Sequence, residues 1–200
     1  MTASVTDKPL TSPLKVAKTI TDVLQPRNML LGGLIGFGAF TQESIAGAGW
    51  GLFAALCAGV VPAEYINWEK RRGTFGDRHV VDRRQRPRIF AVILASIGLG
   101  IIVMEIAGGP KDVEHAMIAL WGMTVVLLLV NAFWKISVDA AVASSVVALL
   151  AVFHSPWWLL GYLVVVAVCW TRKALGYHSV AQTVAGASLG AAAAGIWLLG

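Results

Sequence analysis

The chain has 200 residues, of which 57% are hydrophobic and only 14% charged; its formal net charge is +5 and its mean hydropathy +0.72. A water-soluble domain of this size cannot hide that much apolar surface, and several runs approach membrane length, so the class is a multi-pass helical membrane protein. The runs are helix-length rather than alternating, which excludes a β-barrel, and Cys57 and Cys169 both lie inside apolar runs, which excludes a disulfide framework or a cysteine metal site.

Residues 1–11 read as disordered. Ser12-Pro13 then offers an N-cap and a first-turn proline, and Val16, Ile20, Val23 and Leu24 recur at helical spacing with Lys15 and Lys18 between them. This fits a short helix lying on the membrane surface, with an unstructured basic tail as an equal alternative. Residues 1–27 are accordingly a polar N-terminal segment, and residues 28–200 a transmembrane domain. The first apolar run starts near Met29 without a small-residue cleavage pattern, so no signal peptide is expected.

Seven apolar segments follow, at 28–44, 45–66, 88–107, 115–134, 138–153, 156–170 and 179–199. The strictly apolar parts of the first, fifth and sixth fall short of the ~20 residues of a full span. The expectation is an all-α polytopic bundle of seven spans, with six as the alternative. If all seven cross, the N-terminus and the joints 67–87, 135–137 and 171–178 share one side. Of the 16 Lys and Arg residues only Lys111 falls on the other side, so the joint-bearing face is expected to be cytoplasmic. Trp68, Trp134 and Trp170 mark that edge, and Trp50, Trp157, Trp158 and Trp197 the opposite one. Glu64, beside Pro62, is expected either to line a hydrated cavity or to pair with Arg71 or Arg72. Glu105 is expected to meet Lys111, and His115 and His154 to be interfacial. Gly186 and Gly190 allow close helix packing within the bundle and leave a homodimer face as an alternative.

The joints on the basic side carry the polar chemistry. Together they offer Arg86, Arg172, His79, His178, Ser137, Asp139 and Lys135. Two arginines, a serine and the backbone N–H groups opening the 138–153 helix form a phosphate cradle. A histidine beside them is a nucleophile, with an acid at hand to protonate a leaving group. Asp139 has a second reading, as a residue complementing the helix dipole.

In these residues the chain resembles the type 2 phosphatidic acid phosphatase superfamily, which shares its site with vanadium haloperoxidases. The family pattern is K-x6-R-P, then P-S-G-H, then S-R-x5-H-x3-D. Arg86-Pro87, Ser137, and Arg172 with His178 match in order over roughly residues 70–199. His79 stands at the lysine position, Ile136 and Val138 flank Ser137 in place of Pro and Gly, Asp139 replaces the acid histidine, Thr171 replaces a serine, and Gln182 replaces the final aspartate.

The resemblance implies an integral-membrane phosphatase acting on a lipid phosphate or a prenyl diphosphate. Arg86, Arg172, Ser137 and His79 would bind phosphate, His178 would form a phosphohistidine, Asp139 would be the acid and Gln182 the orienter. It implies no cofactor and no metal. The partners are then the lipid substrate and membrane lipids, with no nucleic acid, in a cell membrane. The alternatives are a catalytically impaired relative that binds or transfers a phospholipid, and a structural membrane partner.

Overall fold

The structure is a computed structural model that describes residues 12–72 and 86–198; the expectations for residues 1–11 and for His79 lie outside the described residues. Every regular element among the described residues is helical: α1 (Ser12–Val23), α2 (Pro26–Gln42), α3 (Ile45–Ala55), α4 (Val61–Arg71), α5 (Arg86–Ala107), α6 (Lys111–Phe133), α7 (Val138–Phe153), α8 (Tyr162–Ala174) and α9 (Val180–Gly195). A π-helical turn, Leu56–Val60, joins α3 to α4, and a 3-10 turn, Pro156–Gly161, leads into α8. The polar N-terminal segment does form a helix, α1, and it packs against α8 with Ala17 fully buried.

Among the described residues, four segments are long and apolar enough to cross a membrane: Ile45–Arg71, Pro87–Ala107, Lys111–Phe133 and Val180–Leu198. The expected seven spans are not established by this measure, because α2, α7 and α8 are too short. The reason for α7 is physical. All residues from Ala140 to Leu150 are buried, so the helix is enclosed by protein on every side. A helix that meets little lipid is not required to match the bilayer thickness, and its 16 residues rise only about 24 Å.

Two close helix pairs surround this centre. Helices α2 and α3 form a hairpin in which a Cβ on Gly51 would strike the Leu34 carbonyl. Its corner is closed by Ser44, whose Oγ accepts the Gly47 N–H at 2.9 Å. Helix α9 lies against α7 in the same manner. A Cβ on Gly186 would meet the Ser137 carbonyl, and one on Gly190 would meet Ala141 O and Ser145 N. The Gly186/Gly190 face is therefore occupied by α7, which answers the packing expectation from within the chain.

The π turn has a visible cause. Pro62 has no N–H and crowds the carbonyl four residues before it. The helix widens there, and the Val61 N–H reaches Leu56 O, five residues back. The Cys57 carbonyl, left without its usual donor, accepts Ser96 Oγ–H at 2.7 Å from α5. Glu64 departs from both expectations: its Oε1 meets Arg27 Nη1 at 2.9 Å, tying α4 to α2 rather than to Arg71 or Arg72. Lys111 pairs with Glu105 as expected, and also with Glu114. His115 stacks on Trp197 at a ring distance of 4.3 Å, and His154 on Phe40 at 5.3 Å.

Gly190→Val is expected to destabilise the fold by about 1–3 kcal/mol or more, since the colliding atoms belong to the α7 backbone and cannot rotate away. Gly195→Ala, whose Cβ would meet nothing within 4 Å, is the matched control. Thermal unfolding of both variants in detergent checks this; equal midpoints would contradict the packing described.

Candidate functional site

The α6–α7 joint and the α8–α9 joint are stitched together by hydrogen bonds and one ion pair. Ser137 N–H donates to Gln182 O at 3.2 Å, and Lys135 Nζ donates to Tyr177 O at 3.0 Å. Arg172 Nη2 meets Asp139 Oδ1 at 2.7 Å, with the two side chains only 11% and 17% exposed. Sequence positions some forty residues apart thus converge on one end of the bundle.

The turn that delivers His178 follows from its residues. Helix α8 ends at Gly176, whose φ of 71° is the left-handed conformation that glycine adopts without strain. Tyr177 N–H and His178 N–H then both return to Arg172 O, at 2.9 and 3.2 Å. Ser179 and Gln182 close a capping box at the start of α9. In that box Gln182 Oε1 accepts the Ser179 N–H at 3.0 Å. The same oxygen lies 3.3 Å from His178 Nδ1. An oxygen can only accept, so Nδ1 carries the hydrogen and Nε2 keeps its lone pair.

His178 opens onto a cavity of about 550 Å³ that Lys135 and Asp139 also line. Its walls come from α2, the π turn, α4, α5, α6 and α7. Along α6 they run from Leu120 through Met123, Thr124 and Leu127 to Asn131, a rise of about 17 Å. Along α5 they run from Ile89 through Phe90 and Ile93 to Ile97, about 12 Å. The hydroxyl of Thr124 and the amide of Asn131 donate to carbonyls of their own helix, Leu120 O at 2.7 Å and Leu127 O at 2.9 Å. The far part is an apolar trough. The near part is polar, with Arg27, Asn67 and Lys70 from α2 and α4 joining the three residues named above.

Of the residues singled out from the sequence, the structure brings Ser137, Asp139, Arg172, His178 and Gln182 together. Asp139 and His178 line the cavity, whereas Ser137 and Arg172 stand behind its wall. Ser137 is fully buried, and its Oγ accepts the Ala140 N–H at 3.3 Å as the N-cap of α7. Arg172 is engaged by Asp139, while its buried Nε has no hydrogen-bond partner. Arg86 opens α5, one turn before the lining residues Ile89 and Phe90; its side chain and His79 lie outside the described residues. Among the described residues, no group of His, Cys, Asp and Glu could hold a metal ion. The apolar walls on α4, α5 and α6 escaped the sequence reading. Pro62 beside Glu64, an irregularity inside an apolar run, was their signal. Comparison with family models, curated proteins and solved structures gives no match.

Burial first, and then the nearby Lys135 charge, holds the His178 imidazole below its ordinary value of 6.5; Asp139 and the Gln182 hydrogen bond oppose this, and Arg172 adds to it. A base whose folded value lies below its unfolded one resists protonation in the fold. It leaves stability untouched well above 6.5 and lowers it as pH falls through that value. NMR titration of ring-labelled His178 is expected to show a midpoint under 6.5, with stability falling on the acid side. A midpoint above 6.5 would contradict this site electrostatics.

Proposed function

We propose that this protein is an integral-membrane phosphatase that hydrolyses a lipid phosphate or prenyl diphosphate through a phosphohistidine. One observation carries the reading: a half-buried histidine, pushed toward its neutral form by burial and held at Nδ1 by Gln182, stands at the polar end of a trough shaped for an apolar chain. Two residues of the motifs that resemble the phosphatase superfamily, Asp139 and His178, line this end, with Ser137, Arg172 and Gln182 packed around them.

In this mechanism His178 Nε2 attacks phosphorus, and the bond to the leaving oxygen breaks as the N–P bond forms. Gln182 Oε1 holds the Nδ1–H and so fixes the ring tautomer and orientation. Asp139 stands at the cavity wall; it would protonate the leaving oxygen only in its acid form, having taken up a proton and let go of Arg172 when substrate binds. Water then cleaves the phosphohistidine and releases phosphate. The apolar chain occupies the trough between α4, α5 and α6. The resemblance adds Arg86 as a phosphate ligand and would give Arg172 the same role, although that side chain is engaged by Asp139. The distribution of Lys and Arg supports a polar end on the cytoplasmic side of a seven-span bundle.

The ion pair between Arg172 and Asp139 favours a second reading, a catalytically impaired relative that binds a phospholipid. The two are separated by assaying phosphate release from a panel of lipid phosphates and prenyl diphosphates, with the purified protein and no added metal. Turnover that disappears in His178→Ala is expected, with Gln182→Asp as active as the parent or more so, because a carboxylate supports an imidazolium better than an amide. Full activity in His178→Ala would remove the nucleophile from this scheme.

Asp139→His is expected to raise monoester turnover at neutral pH. It releases Arg172 from its carboxylate and supplies an acid whose ordinary value of about 6.5 suits that range. A diphosphate should gain less, since its phosphate leaving group needs little protonation. Rates measured from pH 5 to 8 on one monoester and one diphosphate lipid decide this, and an unchanged monoester rate would return Asp139 to a purely structural role.

A further inference from the structure

We propose that Lys135, and not Arg172, is the cation that receives the anionic head of the ligand in this cavity. The inference rests on the phosphatase reading for the head being a phosphoryl group. Lys135 lines the cavity together with Asp139 and His178, whereas Arg172 does not. Its ammonium uses one hydrogen bond, to Tyr177 O at 3.0 Å, and an ammonium has three N–H donors. The accepting carbonyl belongs to the residue before His178, so the anchor points the charge at the nucleophile's own turn.

Two competing cations among the described residues are already neutralised. Arg172 is held by Asp139 at 2.7 Å, and a phosphate reaching it would have to displace a carboxylate from a site almost out of water. Arg27, on the same cavity wall, is held by Glu64 at 2.9 Å. Lys135 has no carboxylate partner among the described residues. Lys70 shares that property but stands across the cavity on α4, without a contact to the His178 turn. Among the described residues, the one positive charge both uncompensated and fastened beside His178 is therefore Lys135.

Titration calorimetry of the purified full-length protein in detergent, with inorganic phosphate, tests the assignment. Lys135→Gln is expected to weaken phosphate binding by at least about tenfold, the scale of a charge-assisted hydrogen bond, and Lys135→Arg to recover most of it. The double variant Arg172→Gln with Asp139→Asn removes both charges of the pair and strands neither; it is expected to keep more phosphate affinity than Lys135→Gln. Lys173→Gln, exposed at the end of α8, controls for general charge. Binding lost in the double variant but kept in Lys135→Gln would overturn the proposal, as would a parent protein that binds no phosphate. The phosphatase reading fails separately. Lys135-dependent phosphate binding without any lipid turnover would sink that reading alone. Lipid turnover with unchanged KM in Lys135→Gln would sink this assignment alone.

Discussion

Arg172 and Asp139 meet at the one place where the last turn of α8 faces the first turn of α7, and the geometry of the polar end depends on that contact. Each charge also suits its own helix end. A cation favours the carbonyl-rich C-terminus of α8, and a carboxylate the N–H-rich start of α7. Placing both where water barely reaches is expensive, and removing either partner typically costs about 3–5 kcal/mol. The pair therefore fixes how the two helix ends sit against each other. With Ser137 N–H bound to Gln182 O, α9 is held to the same corner, which places His178 at the cavity mouth.

The cavity is the complement of that corner. On one side α9 packs against α7 with close backbone contacts, and α8 packs beside them. On the other, the chain is loosened by the π turn that Pro62 imposes, and Ala58, Gly59 and Pro62 form part of the wall. Small residues and a widened helix turn give space where larger side chains would fill it. The bond from Ser96 to Cys57 O keeps the widened turn satisfied, so the irregularity is stable rather than frayed. A rigid polar corner against a roomy apolar wall is the arrangement that an amphiphilic ligand requires.

Much of this was legible in the residues. The helices follow from apolar runs; the turn signals that Gly176, Ser179 and Gln182 carry around His178 were there too but went unused. The convergence of the 135–139 and 171–182 segments was expected from an even number of helical runs between them, and α7 and α8 do lie between the two. Other features were not legible, each for a reason. Glu64 pairs with Arg27 across 37 positions, and no local spacing encodes such a partner. The length of α7 reflects enclosure by neighbouring helices, which hydropathy does not measure. Ser137 reads equally as a phosphate ligand or a helix cap until the position of its hydroxyl is known. Arg172 and Asp139 were both visible as site residues, but that each would engage the other depends on how α8 meets α7.

The charge balance around His178 bears on what chemistry the corner can support. A nucleophilic imidazole must be neutral, and here burial and Lys135 favour that state while Asp139 and Gln182 oppose it. Were Arg172 not paired, its full positive charge would act on the ring; paired, it adds less. Were Gln182 a carboxylate, it would draw the ring toward the imidazolium. An amide at this position keeps the orientation and tautomer without that charge. The corner therefore holds a neutral, oriented imidazole without relying on a carboxylate. The corresponding cost is weaker support for the imidazolium-like charge that develops once nitrogen has attacked. This environment favours the attacking state of His178 over the charged state that follows, so reactions with a good leaving group suit it best.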